Sequence, residues 1–210
     1  MRWLSVRRTL CGRDVRAPST SMRKIIVYIA TSTDGYIARR NGSVDWLDRP
    51  QVKGNYGMGE FYRSIDTILW GRKTAGLTTE MGGEFGGFDP KVKNYIFSRK
   101  PPRKPVAGAE FVKEPIPEFA KRLRSLAGKD IWMMGGAGII ASFLDEGAID
   151  EFIIHVIPTL IGEGIPLIAP RHRNVPLKLI SCRSFSDGVV RLHYAVDRGT
   201  QKKASKKESA

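Results

Sequence analysis

Residues 131–144, I-W-M-M-G-G-A-G-I-I-A-S-F-L, pass from an apolar run through Gly135, Gly136, Ala137 and Gly138 into a stretch of helical period. Ile139, Ile140, Phe143 and Leu144 fall on one helical face, and Gly147 supplies a terminator, so the spacing predicts a helix over 137–146. A buried strand, Asp130–Met134, feeds it directly. Missing side chains at the turn let a diphosphate approach the backbone, and the unpaired amides of a helix start favour negative charge. The competing reading is tight strand–helix packing, in which glycine only removes bulk.

Outward from this turn the same alternation repeats. Apolar, β-branched or aromatic runs at 25–30, 66–70, 94–98, 110–112, 151–157, 177–183 and 189–196 read as further strands. Helical spacing at 56–65 (Met58, Phe61, Tyr62, Ile65) and at 117–127 (Phe119, Leu123, Leu126, behind Pro117) fills two of the gaps. Several runs are apolar throughout, as strands buried on both faces are, so the centre of the sheet is expected to be parallel and covered by helices. Asp187-Gly188 joins the last two strands as a tight hairpin, which makes the sheet end antiparallel.

The chain has 210 residues, 41% of them hydrophobic, enough for one domain with a proper core. Its longest apolar stretch, 131–141, holds three glycines and is far shorter than the ~20 residues of a membrane span. The net charge of +14 is unevenly spread: residues 1–21 carry five arginines against one aspartate, and residues 197–210 carry five basic against two acidic residues. Half of the excess therefore lies in the tails. A moderately basic body suits an anionic ligand such as a phosphorylated cofactor, or is simply solvated.

Residues 1–22 are expected to be a disordered basic extension and 197–210 a disordered lysine-rich tail. Three readings of the first segment stand: a transit peptide that would send the protein to an organelle, a basic arm, or translation that begins at Met22. The protein is otherwise expected to be cytoplasmic. Cys11 and Cys182 suggest no disulfide framework, and His155, His172 and His193 show no metal-ligand spacing.

Four loops carry polar chemistry at the carboxyl ends of predicted strands, where open α/β sheets bind ligands. The first strand enters T-S-T-D-G-Y-I-A, which places Asp34 as a site residue unless Asp-Gly merely makes a turn. The second enters W-G-R-K-T: Gly71 permits close approach, Arg72 offers a phosphate fork, and Thr74 can start a helix. The third ends in F-S-R-K, where Ser98 and Arg99 suit a 2′-phosphate; the other reading is a basic surface loop stiffened by Pro101 and Pro102. The glycine turn at 135–138 is the fourth. No G-x-S-x-G, Cys-His or G-x-x-x-x-G-K-[ST] signature is present, which favours a reaction carried by a cofactor.

In order along the chain, I-A-T-S-T-D-G-Y-I-A, N-G-S-V-D-W-L, I-D-T-I-L-W-G-R-K-T, I-W-M-M-G-G-A-G and D-E-F-I-I-H-V-I-P-T-L-I-G-E-G-I-P-L together resemble the dihydrofolate reductase superfamily. The branch most similar is the carboxyl-terminal reductase domain of the bifunctional riboflavin deaminase-reductase, over about residues 23–196. The resemblance implies a three-layer α/β fold, with a mostly parallel central sheet flanked by helices and an antiparallel C-terminal hairpin. It implies NADPH as cofactor and a small polar substrate, at best a ribosylaminopyrimidine. Ala30 would lie by the nicotinamide; Gly71, Arg72 and Thr74 would hold the adenine-side phosphates; Ser98 and Arg99 would favour the 2′-phosphate. Gly135, Gly136, Ala137, Gly138 and Ile139 would cradle the diphosphate, with a cis Gly135–Gly136 bond. Asp34 would be the catalytic or substrate-orienting acid, with Glu60 a second candidate, and Tyr36 and Trp46 would wall the substrate.

No acid maps cleanly onto the pterin anchor expected after Trp46, and no H-x-E or P-C-x-x-C deaminase signature occurs. A homodimer is expected by the same analogy. Alternatives are a pterin reductase, a catalytically silent nucleotide-binding protein, or a basic RNA-binding module, the last without an RNP-like aromatic motif.

Overall fold

A computed structural model describes residues 22–49, 54–80, 88–100 and 106–199. The expectations for residues 1–21 and 200–210, and for Pro101 and Pro102, lie outside the described residues. Strands β1 (Ile25–Ser32), β3 (Ile65–Gly71), β4 (Lys93–Phe97), β5 (Glu110–Val112), β6 (Asp130–Gly135), β7 (Glu151–Ile157), β9 (Leu177–Ser184) and β10 (Val190–Val196) form one sheet. Its order is β5-β4-β3-β6-β1-β7-β10-β9. The six strands from β5 to β7 are parallel, while β10 and β9 complete the sheet antiparallel. The fold expected from the sequence is the one found.

Helices α1 (Met58–Ser64), α2 (Arg72–Glu80), α3 (Ile116–Ser125) and α4 (Ala137–Asp145) cover the two faces. Alternation along each strand sorts the core: Ile25 and Val27 of β1 join Leu69, Ile131, Met133, Phe119 and Phe143 under α3 and α4, whereas Ile26 and Tyr28 join Phe61, Trp70 and Trp132 under α1 and α2. Phe119, Phe143, Leu69, Ile131 and Met133 are wholly buried, each such side chain contributing about 1.5–3 kcal/mol. Rings lock the second face, with Tyr28 stacked on Phe61 at 4.2 Å and Trp132 edge-on to both.

Boundaries differ from the sequence reading where local chemistry intervenes. The helix expected over 56–65 starts at Met58, because Asn55 and Tyr56 have positive φ and form a separate turn, and Ile65 is already strand. The helix after β3 begins at Arg72, so Thr74 sits in its first turn. Two short strands escaped the pattern: β2 (Tyr36–Ala38) pairs with β8 (Ile165–Pro166). The last hairpin turns as expected, with Gly188 at φ +87° and its N–H bonded to the Phe185 carbonyl. Among the described residues no helix is long and apolar enough to cross a membrane.

Candidate active site

β3 and β6 are neighbours, yet the chain leaves them in opposite directions. After β3 it enters α2, whose Ala75 packs on the Tyr28 side; after β6 it enters α4, whose Ile140 and Phe143 pack on the other. Helices that diverge from adjacent parallel strands open a crevice at the carboxyl edge of the sheet. Gly71 and Gly135 face each other across it, Trp70 being in register with Gly135.

The crevice is cut to backbone dimensions. A Cβ on Gly71 would stand 3.2 Å from the Gly135 carbonyl oxygen and 3.4 Å from the Gly136 nitrogen, and one on Gly136 would stand 3.3 Å from Thr74 Oγ1. Over Gly138 nothing lies within 4 Å. The Gly135–Gly136 peptide is cis, as the resemblance implied. The Ile139 and Ile140 amides donate to the Gly136 carbonyl at 3.2 Å, whereas the Ala137 and Gly138 amides stand ahead of the first intrahelical bond. The structure thus gathers Gly71, Thr74 and Gly135–Ile139 in one place.

Beside them, between α2 and the β4–β5 edge, a cleft of about 230 Å³ is lined by Phe88, Ile96, Val106 and Phe111, with Arg72 and Lys100 among its walls. Ser98 and Arg99 follow β4 directly; the Ser98 hydroxyl accepts from the Lys100 amide at 3.1 Å, and Arg99 is exposed. Sequence reasoning missed the apolar lining, because Phe88, Val106 and Phe111 come from three separated segments.

At the other end of the crevice Ala30 packs with buried Trp46 and Ile157, Tyr56 and Phe185. The Trp46 indole N–H is buried and has no acceptor among the described residues. Such a donor costs about 1–3 kcal/mol unless a ligand accepts from it. Tyr36 begins β2, and its amide donates to Ser32 Oγ at 3.0 Å.

Asp34 is fully engaged. Ser32 Oγ donates to it at 2.6 Å and the Gly162 and Ile161 amides at 2.7 and 3.2 Å, so it clamps the β1–β2 turn onto the segment after β7. The Ser32 hydrogen bond, with the two amides, holds its carboxyl below the usual range. A carboxyl so held favours its ionised form, which suits accepting hydrogen bonds from a substrate. Glu60 is exposed on α1 with no polar partner among the described residues.

His155 of β7 lies beside Ala30, 4% exposed, its ring 4.7 Å from that of Tyr28. Burial pushes His155 down to about 4 and the Tyr28 hydroxyl up to about 12. Both are neutral at pH 7. Their position facing the site went unread, since strand histidines carry no spacing signal.

This divided sheet with a glycine-cut crevice defines a protein of the dihydrofolate reductase-like class. The fold recurs at a TM-score of 0.57 in the Enterococcus faecalis dihydrofolate reductase complexed with NADP(H), at 12% identity over 83% of this chain and 96% of that one. More narrowly, residues 23–191 match the RibD C-terminal domain model, and the chain belongs to that reductase family.

The uncharacterised Bacillus subtilis protein YwjB is 38% identical over 172 residues, 82% of this chain and 97% of its own. A structure ascribed to riboflavin biosynthesis in Shewanella sp. PV-4 shares 25% identity at a TM-score of 0.74, covering 83% of this chain and 99% of that one. The Thermotoga maritima diaminohydroxyphosphoribosylaminopyrimidine deaminase/5-amino-6-(5-phosphoribosylamino)uracil reductase has a TM-score of 0.65 and 16% identity. There the match covers 85% of this chain and 58% of the longer protein.

Proposed function

We propose that this protein is a cytoplasmic NADPH-dependent reductase of a small polar substrate, best a ribosylaminopyrimidine. The observation that carries the reading is the Gly71–Gly135–Gly136 approach, which brings three residues without a Cβ together beside the Ala137 and Gly138 amides, ahead of the first bond of the helix. NADPH, when bound, supplies a hydride.

The chain's own part is binding and orientation. Within the Gly135–Ile139 turn the Ala137 and Gly138 amides would face the diphosphate, and Thr74 closes the crevice. The Phe88–Ile96–Phe111 cleft accepts a flat ring, with Arg72 and Lys100 among its walls, and Ser98 and Arg99, which follow β4, would favour a 2′-phosphate. Ala30 leaves room over β1 for the nicotinamide, and Trp46 and Tyr36 wall the substrate. Addition of that hydride to an electrophilic C=N or C=O carbon would leave the electron pair on the heteroatom, which would take up a proton from solvent, while Asp34, its carboxyl held below the usual range, positions the substrate.

The decisive test is fluorescence titration with NADPH and NADH. NADPH preference is expected in the wild type, with losses of about tenfold or more in Arg72→Ala and a smaller loss in Ser98→Ala. Equal affinity for the two nucleotides would overturn the 2′-phosphate assignment. NADPH binding without turnover of ribosylaminopyrimidines or pterins would favour a silent nucleotide-binding protein instead. A homodimer is also proposed, because edge strand β9 exposes Leu177, Leu179 and Ile180 at 43%, 52% and 50%. Light scattering that shows a monomer would remove it.

A further inference from the structure

Gly54, Asn55, Tyr56 and Gly57 have φ of +86°, +41°, +53° and +89°, so the chain makes a left-handed turn immediately before α1. That conformation is unfavourable for a residue with a Cβ, and Asn55 and Tyr56 keep it only where their surroundings impose it. The backbone of the turn supplies little of that restraint. Inside the turn the Gly57 amide donates to the Gly54 carbonyl at 2.9 Å; beyond it, among the described residues, the Tyr56 carbonyl meets His155 Nε2 at 3.4 Å, a long contact.

The restraint comes from the Tyr56 side chain. Its hydroxyl donates to Asp187 Oδ2 at 2.6 Å across 131 residues of chain, and its ring meets Phe185 edge-on at 5.1 Å. Both partners lie in the connection between β9 and β10. The acceptor is itself fixed, since Arg49 Nη2 donates to the Asp187 carbonyl at 2.8 Å and stands 3.8 Å from its carboxylate.

Behind this contact lies a small chamber. Trp46, Ile157 and Val189 are buried there, with Ala30, Tyr56, Ile161 and Phe185 packed against them. Trp46 is 7% exposed, and its indole N–H has no acceptor among the described residues. A donor kept dry and unpaired favours any rearrangement that brings water or a ligand to it. Two features therefore push the turn open, the left-handed residues and the dry donor, while one charge-assisted hydrogen bond and a ring contact hold it shut. Trp46 is anchored separately, because Asp45 beside it accepts from Arg39 Nε at 2.7 Å and Nη2 at 2.9 Å.

We propose that the turn 54–57 is a gate over the Trp46 chamber, latched by the Tyr56 hydroxyl on Asp187. Open, it admits water or a small polar molecule. A ligand that brings an acceptor to the Trp46 N–H removes one of the two opposing costs and so favours the closed form. The gate stands apart from the reductase reading, because no cofactor or reaction enters it.

Hydrogen exchange of the indole N–H groups tests it, followed by NMR on the full-length protein carrying isotope-labelled tryptophan, with the Trp46 signal assigned from Trp46→Phe. The Trp70 and Trp132 indoles donate to Asn94 Oδ1 and to the Tyr28 carbonyl, each at 3.0 Å, and report on the rest of the fold. Tyr56→Phe deletes the hydroxyl and keeps the ring. It is expected to speed Trp46 exchange about tenfold or more, with Trp70 and Trp132 unchanged. Gly57→Ala should act in the same direction by another route, since φ of +89° suits no Cβ and this one would stand 3.0 Å from Arg191 Nη1. Asp187→Asn should have a smaller effect than Tyr56→Phe, because its amide oxygen still accepts. Trp46 exchange unaltered in both Tyr56→Phe and Gly57→Ala overturns the gate. So does acceleration of all three indoles together, which would make the turn part of the global fold and not a separately moving element.

Discussion

Gly71 and Gly135 meet across the β3–β6 seam so closely that a Cβ on Gly71 would stand 3.2 Å from the Gly135 carbonyl oxygen, with Ile139 Cγ2 equally near. A backbone carbonyl cannot move aside as a side-chain tip can. Gly71→Ala is therefore expected to cost about 1–3 kcal/mol by overpacking and to close the crevice to a dinucleotide. Gly138→Ala is the contrast, because its Cβ meets nothing within 4 Å and lies in a helix. That variant should match or exceed wild-type stability by up to about 1 kcal/mol while weakening NADPH. Urea denaturation and cofactor titration of both variants separate packing from binding; full NADPH affinity in Gly138→Ala would place the diphosphate elsewhere.

His155 makes stability depend on pH in a defined window. Burial lowers its pKa from 6.5 to about 4, so between those values the unfolded chain binds a proton that the folded chain does not. The stabilisation is complete above pH 6.5 and is lost as pH falls through about 4, a change on the order of 3 kcal/mol. Asp45, drawn down to about 2 chiefly by its hydrogen bonds from Arg39, acts in a lower window. Urea midpoints measured from pH 7 to pH 4 should fall in the wild type and stay flatter in His155→Phe. Parallel curves would show that another group carries the transition.

Asp34 behaves as a clamp, so its loss should loosen a loop before it alters chemistry. In Asp34→Asn the Ser32, Ile161 and Gly162 donors lose a charged acceptor. Faster hydrogen exchange at the Ile161 and Gly162 amides is expected, with KM raised and kcat little changed. A kcat that collapses while exchange at those amides is unaltered would make Asp34 the proton source instead.

What the sequence disclosed follows the range of the interactions involved. The strands of the large sheet and three of the four α-helices were legible because periods of two and 3.6 are local, and the glycine turn was legible because a close backbone approach leaves glycines in the text. Gly164 is similar: a Cβ there would collide with the Ala38 carbonyl where β8 meets β2. By contrast, the register shift of the last hairpin, between His193 and Tyr194, was not legible, because pairing is regular from the Asp187-Gly188 turn as far as His193 and Ser181 and nothing local marks where it slips. The cleft of Phe88, Ile96 and Phe111 was illegible for the same reason, its walls being neighbours only once β4 and β5 pair. Asp34 was read as a site residue with a turn as the alternative, but its engagement by the Ile161 and Gly162 amides was not legible, because it depends on a segment more than a hundred residues away.

Arg23 allows stability to be separated from the site. It is 5% exposed at the amino-terminal edge of the sheet, far from the crevice, and it donates to Asp66, to Thr67 Oγ1 at 2.8 Å and to the Leu123 carbonyl at 3.3 Å. Those bonds tie the start of β1 to β3 and to the end of α3. Removing one partner of a buried pair costs about 3–5 kcal/mol, and because Asp66 keeps 35% exposure and the Lys129 amide at 2.8 Å, Arg23→Met should fall near the lower value. Adding Asp66→Asn removes the stranded charge and should restore part of the loss. NADPH affinity, measured at a temperature where the variant is folded, should equal that of the wild type, since the carboxyl edge is untouched. A parallel loss of stability and affinity would mean that the crevice at Gly71 and Gly135 is held open by the whole sheet and not by its local glycines.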